Sequence, residues 1–330
     1  MKKYFLYSIL VLSAFFQTAV AQNYVSTDCE TMTEEREALQ HLNAPKIAAG
    51  DKVFYICNDM GRNGYYEQKQ IGRLMGNMAS LTGLDFVAAI GDIHHFYGVA
   101  SVDDPLWMTN FELIYAHPEL MLPWYPVLGN HEYRGNTQAV IDYSTKSRRW
   151  MMPSRYYSKT VTIGKTKALL LFIDTTPLID KYRNDAETYP DACKQSREDE
   201  LNWIENQLKN SDAKWKIVMG HHPVFAQTDK SIDERDQMQK YLKPLLDRYN
   251  VDVYVCGHIH NFQHIQPKDS KTVYIVNSSA SLARKVKPTD GTVFCSSEAG
   301  FLIADLNDKA LSFYMINGNG ETIHEIKIDK

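Results

Sequence analysis

Five short segments of this 330-residue chain end an apolar run with Gly or Asn and then with Asp or His. They are Cys57-Asn58-Asp59, Ile90-Gly91-Asp92, Leu128-Gly129-Asn130-His131, Met219-Gly220-His221-His222 and Cys256-Gly257-His258-Ile259-His260. Of the 11 histidines, His94, His95, His131, His221, His222, His258 and His260 lie in or directly after these segments. Carboxylate, amide oxygen and imidazole together are donors suited to Mn, Fe or Zn. Crowding such groups at one place is unfavourable without a counter-charge, which a divalent or trivalent ion supplies. The donors suffice for two ions, with one carboxylate bridging them. The signals differ in weight. A Gly-Asp pair after a strand is commonly a plain turn or helix cap. Gly129-Asn130-His131-Glu132 is less easily explained that way. His258 and His260 share one face of the chain if the segment is extended.

The elements that must bring these groups together are legible as short apolar runs alternating with helical patterns. Buried strands are expected at Val53 to Cys57, Phe86 to Ile90, Tyr125 to Leu128, Ala168 to Ile173, Lys216 to Met219 and Val251 to Cys256. Helices are expected at Tyr66 to Met78, Trp107 to Ala116, Glu198 to Asn210 and Met238 to Tyr249. This alternation predicts an α/β fold with mainly parallel pairing at its centre. In such sheets ligand sites lie beyond the carboxyl ends of the strands. Glycine at those ends permits sharp turns and close approach. After Thr272 the pattern turns strand-rich (273–276, 300–305, 310–316 and 322–328), which suggests a second, more antiparallel sheet. No internal repeat or linker is visible.

The composition is that of an ordinary globular chain, 44% hydrophobic and 23% charged, with a net charge of -4. No basic stripe points to nucleic acid. Met1-Lys2-Lys3, an apolar run to about Phe16 and Ala19-Val20-Ala21 form a secretory signal pattern, with cleavage expected after Ala21. The run is shorter than the ~20 residues a membrane span needs, so no membrane anchor is expected. A periplasmic or secreted mature chain follows. The expected organisation is a signal peptide over 1–21, a leader segment over 22–50 and a single domain over 51–330. The five cysteines are an odd number. Cys57 and Cys256 end strands, leaving Cys29, Cys193 and Cys295 as disulfide candidates with no pairing fixed by spacing.

The ordered motif set resembles the calcineurin-like metallophosphoesterase superfamily. Within it the chain is similar to the small purple acid phosphatases of the tartrate-resistant type. The likeness runs over roughly residues 52–320. It includes Gly129 to Glu132, Arg148 to Ser154, Gly220 to Phe225 and Cys256 to Gln263. It implies two mixed β-sheets packed face to face and flanked by helices, a four-layer sandwich with the dimetal site at one sheet edge. By position, Asp59 and His260 correspond to ligands of the first metal, and Asp92 to the bridge. Asn130, His221 and His258 correspond to ligands of the second metal. His131 corresponds to the residue that contacts the phosphate and helps to protonate or orient it.

Three positions depart from that pattern. Asn58 stands where the first motif begins with Gly. His95 stands where these phosphatases carry the tyrosine whose phenolate binds ferric iron and gives the colour. His95 is the expected replacement ligand; lining the pocket, or ligation by Tyr97 or His94, is the alternative. The histidine that assists the leaving group is missing near Lys230. His222 is its candidate replacement, with a place in the pocket wall weighing equally.

The resemblance implies two metal ions per chain, Fe paired with Fe, Zn or Mn, and a small phosphorylated substrate. Two ions about 3.5–4 Å apart clamp a phosphoryl group and lower the pKa of bound water to about 7, so hydroxide is the expected nucleophile. Phosphomonoester hydrolysis is the leading expectation. Diester or nucleotide hydrolysis on the same site, set by loops 179–196 and 285–297, is the alternative, followed by a binding protein without activity. Oligomeric state is not readable.

Overall fold

A computed structural model describes residue 39 and residues 41–228 and 232–330. The signal pattern, Cys29 and Lys230 therefore lie outside the described residues. Among the described residues thirteen strands form two sheets. In chain order they are β1 Lys52–Cys57, β2 Phe86–Ile90, β3 Trp124–Val127, β4 Tyr157–Ile163, β5 Thr166–Phe172, β6 Trp215–Met219 and β7 Val253–Cys256. Then follow β8 Phe262–Ile265, β9 Val273–Val276, β10 Thr292–Ser296, β11 Gly300–Leu306, β12 Ala310–Asn317 and β13 Thr322–Asp329.

One sheet runs β13-β12-β11-β1-β2-β3 and the other β10-β8-β9-β7-β6-β5-β4. β1, β2 and β3 are parallel, with Phe54 opposite Phe86 and Val87 opposite Trp124. β5, β6, β7 and β9 are also parallel. Continuous apolar runs suit such strands, which are covered on both faces. All of Phe86–Ile90 and Val253–Cys256 is buried.

The late strands do not make a sheet of their own. β11 adds antiparallel to β1, carrying β12 and β13 with it, while β9 joins the other sheet. Both sheets are therefore mixed, each with a parallel centre and antiparallel flanks. Three strands escape a reading of apolar runs. β4 alternates buried and exposed residues, and β8 and β10 carry Gln, His, Thr and Ser. The helix expected over 238–249 is observed as two, Ile232–Tyr241 and Lys243–Arg248. Pro244 in the first turn of the second supplies no N–H to continue the first.

The sheets lie against each other through the stacked rings of Tyr125 and Phe172, 5.7 Å apart, and the Tyr157 hydroxyl, which donates to the Pro126 carbonyl at 2.7 Å. Asn277, after β9, donates to the Ile56 carbonyl of β1 at 3.0 Å. Residues 43–330 form one unit, and residues 1–42 group separately. Cys57, Cys193, Cys256 and Cys295 are all free thiols, so no disulfide forms among the described residues. No described helix is long and apolar enough to cross a membrane.

Behind β5, Asp174 and Glu200 are buried together. The Asp174 N–H donates to Glu200 at 2.8 Å, and the Tyr133 hydroxyl donates to the Asp174 carboxyl. Burial pushes Asp174 up to about 7, against the pull of Tyr133 and Arg155. Burial, then Asp174, holds Glu200 well above the usual range. An acid whose folded pKa is raised stabilises the fold fully below its unfolded pKa and loses that contribution as pH rises through the folded value. Asp174→Asn removes the Asp174 share of this dependence. Relative to wild type, the variant should gain up to about 4 kcal/mol of unfolding free energy between pH ~4 and ~8, at 1.36 kcal/mol per displaced pH unit. Denaturant unfolding of both proteins across that range measures it. A flat difference would mean that Asp174 is already ionised at acid pH.

Candidate metal centre

The expected donors come from both sheets. Asp59 follows β1, Asp92 and His95 follow β2, and Asn130 follows β3. His221 follows β6, and His258 and His260 follow β7. The parallel registers set the strand ends level, so the five loops meet at one rim.

Asp92 is the hub. Its Oδ2 lies 3.2 Å from His221 Nε2, 3.4 Å from His95 Nε2 and 3.8 Å from His131 Nε2. Its Oδ1 accepts the His131 backbone N–H at 2.9 Å. Asp59 divides its oxygens similarly. Oδ2 accepts from Asn58 Nδ2 at 2.6 Å and from the His258 N–H at 2.8 Å, while Oδ1 faces His260 Nε2 at 3.2 Å. The unusual Asn58 thus anchors a proposed ligand, and its own Oδ1 is held by Asn277 at 2.6 Å.

Three of the imidazoles are set through Nδ1 by a partner that can only accept. His221 Nδ1 meets the Ile90 carbonyl at 3.0 Å, His260 Nδ1 the Leu282 carbonyl at 2.6 Å and His131 Nδ1 the Phe96 carbonyl at 2.9 Å. In the neutral ring the proton therefore sits on Nδ1, and the Nε2 lone pair faces the centre. His258 is reversed. Its Nε2 donates to Glu234 at 3.0 Å and its Nδ1 is left without a partner.

The donor set fits metal ions on the evidence of its unsatisfied atoms. Asp59 Oδ1, both His95 nitrogens, Asn130 Oδ1, His221 Nε2 and His258 Nδ1 are buried with no hydrogen-bond partner. Buried polar atoms are rarely left so. Ligand atoms of Asp59, His95 and His260 lie within 4.8 Å of one another, as do those of Asp59, Asp92 and His221. So do Asp92, His95 and His131, and His221, His222 and His258. The overlapping groups describe two ion positions side by side.

The electrostatics agree. Burial raises the pKa of Asp92, but His221 and His131 more than reverse this and hold it well below the usual range. Burial opposes charge on His221, yet Asp92 and Asp59 push it up to about 10. The two enclosed carboxylates thus favour positive charge beside them.

Backbone strain marks the same residues. Asp59, Asp92, His258 and His260 have φ of 50°, 53°, 73° and 59°. Left-handed backbone away from glycine costs about 1–3 kcal/mol per residue and persists where the surroundings enforce it. Gly91, at φ 93°, is required for a second reason: a Cβ there would lie 2.4 Å from His221 Nδ1.

His95 reaches the centre, and its neighbour His94 points away, with Nδ1 3.2 Å from the Asn110 amide and its ring against Trp107. Tyr97 is 77% exposed, in contrast to the enclosed His95. His222 is fully enclosed. Its Nδ1 pairs with Thr175 Oγ1 at 2.8 Å and its Nε2 with the Tyr182 hydroxyl at 3.1 Å, while its ring lies 4.4 Å from that of His258.

Two carboxylates escaped the sequence reading as functional groups. Glu132 accepts from the N–H groups of Asp92 at 2.9 Å, His94 at 2.9 Å and Gly129 at 2.7 Å, tying two donor loops together. Its place in Asn-His-Glu was the available signal. Glu234 joins His258 to Lys181 and Tyr182 at 2.7 and 2.9 Å from a polar helix with no motif, so nothing flagged it.

The profile of the Calcineurin-like phosphoesterase family matches residues 52–262, and the chain belongs to that family. It is 31% identical to Purple acid phosphatase 3 of Arabidopsis thaliana over 88% of this chain and 81% of that protein. It is 29% identical to human Tartrate-resistant acid phosphatase type 5 over 79% and 83% of the two chains. Among solved structures, GAP50, the anchor in the inner membrane complex of Plasmodium, shares the fold. Its TM-score is 0.73 at 22% identity over 86% of this chain and 89% of that one. Within the family this chain therefore groups with the purple acid phosphatases as a metal-dependent phosphatase with a dinuclear site.

Proposed function

We propose that the chain is an exported phosphatase that hydrolyses phosphomonoesters, with Asp59, His95 and His260 holding one ion, Asn130, His221 and His258 the other, and Asp92 bridging them. The observation that carries this reading is the set of unpartnered buried donors gathered around Asp92. When bound, the ions, Fe with Fe, Zn or Mn, supply Lewis-acid charge and an activated water.

The chain's own residues do the rest. His131, fixed through Nδ1 by the Phe96 carbonyl, keeps Nε2 turned toward the centre, on a side chain that remains 16% exposed. It orients the phosphoryl group, and Nε2 can return a proton to the leaving oxygen only after taking one from the attacking water. His222, with both nitrogens engaged in an enclosed position, steadies the second ligand cluster. Glu132 and Glu234 fix loop and ring orientation, a role whose loss typically costs about 10–100-fold in metal affinity or activity. The names of the two curated relatives, a purple and a tartrate-resistant acid phosphatase, support monoester hydrolysis over the diester or nucleotide reading. The retained donors weigh against a binding protein without activity.

Export rests on Met1-Lys2-Lys3, the apolar run and Ala19-Val20-Ala21, and residues 51–330 are proposed as the catalytic domain. The deciding experiment compares p-nitrophenyl phosphate with its bis-ester on the mature, metal-loaded chain. A monoester preference of at least about tenfold in kcat/KM, about 1.4 kcal/mol, is the expected result. A diester preference would replace this reading. A mature chain that does not begin at Gln22 would overturn the assigned cleavage point.

A further inference from the structure

Arg62 is only 7% exposed, yet its guanidinium makes no hydrogen bond or ion pair with any described residue, and its Nε is buried without a partner. It lies over the ring of Phe96 at 5.0 Å and near that of Tyr66 at 6.0 Å. Arginine is almost never buried unless paired. Arg284 repeats the pattern. Its backbone N–H donates to the His260 carbonyl at 2.6 Å, while its Nη1 is buried with no partner.

Both arginines sit at the metal rim. Arg62 is three residues beyond Asp59, and the intervening Gly61 accepts the His95 N–H at 3.2 Å. Burial lowers the Arg62 pKa, Asp59 and Asp92 act against this, and Arg284 adds to it, so all four groups feel one another. Ions bound by Asp59 and Asp92 would satisfy those carboxylates. The Arg62 guanidinium would then be left without a counter-charge among the described residues.

We propose that Arg62, supported by Arg284, is the anion grip of this site and takes the non-bridging oxygens of the substrate's phosphoryl group. The guanidinium fork matches phosphate oxygens in pairs, and such charge-assisted bonds are among the strongest available. The rings of Phe96 and Tyr66 hold the fork in place without consuming its donors. This inference rests on the centre being one that binds phosphoryl groups.

Calorimetric titration of the metal-loaded full chain with inorganic phosphate tests it. Arg62→Gln should weaken phosphate binding about 10–100-fold with metal content unchanged, the scale of charged hydrogen bonds. Arg62→Lys should recover part of the loss, because it keeps the charge without the fork. Arg284→Gln should weaken binding by about tenfold or less, and KM for p-nitrophenyl phosphate should rise with each loss. A folded, fully loaded Arg62→Gln protein that binds phosphate within twofold of wild type overturns the proposal. If that variant does not fold, unchanged binding in both Arg62→Lys and Arg284→Gln overturns it equally, as does a loaded wild type that binds no phosphate. Arginine-dependent phosphate binding without turnover would leave the grip standing and remove the phosphatase reading. Normal turnover and phosphate binding in Arg62→Gln would do the reverse.

Discussion

Asp92→Asn should strip the centre of its metals and abolish turnover in the same step. The carboxylate Oδ2 lies within 3.8 Å of three imidazole nitrogens, His221, His95 and His131. An amide in its place is neutral. With its oxygen kept on the His131 N–H, its NH2 would face the Nε2 atoms of His221 and His131, rings whose Nδ1 hydrogens already go to backbone carbonyls. The loss should exceed the about 10–100-fold typical of an outer partner such as Glu132 or Glu234, reaching about 10³-fold or more in kcat. Metal analysis and kinetics on one preparation read both quantities. Two ions per chain with activity within tenfold of wild type would remove Asp92 from the bridging role.

His95→Tyr should turn the iron-loaded protein purple. Wild type, with imidazole at this place, should lack the visible band of an iron–phenolate bond. His95 is enclosed, both its nitrogens are unpartnered, and its ligand atom groups with those of Asp59 and His260. A phenolate installed there meets the same ion. The visible spectrum after loading with ferric iron is the readout, and it does not depend on turnover. A purple wild type would place Tyr97 on the iron instead. A colourless but iron-loaded His95→Tyr protein would show that His95 only lines the wall.

The strand ends were legible because parallel strands covered on both faces need unbroken apolar runs, and the polar residues after Cys57, Ile90 and Cys256 stand out against them. The join of β11 to β1 was not legible, since β pairing across 246 residues, as between Ile56 and Leu302, leaves no local mark. At the site, residue type and order marked His95 and His260 as candidates. The direction of each ring did not follow from sequence, because it depends on distant carbonyls such as Ile90 and Leu282. Glu234 was hidden for the same reason. Its helix is polar, and only the folded chain sets its carboxylate against His258.

The division of donors between the sheets has a consequence for the order of assembly. Asp59, Asp92, His95 and Asn130 stand on one sheet, and His221, His258 and His260 on the other. The groups Asp59, His95 and His260, and Asp59, Asp92 and His221, draw on both sheets. The complete pair of positions therefore exists only after the two layers close. Metal bound there fastens them along their common edge like a rivet through two plates. In a chain that crosses a membrane unfolded, the ions that fill this centre are those of the compartment where folding finishes, whatever the supply where the chain was made.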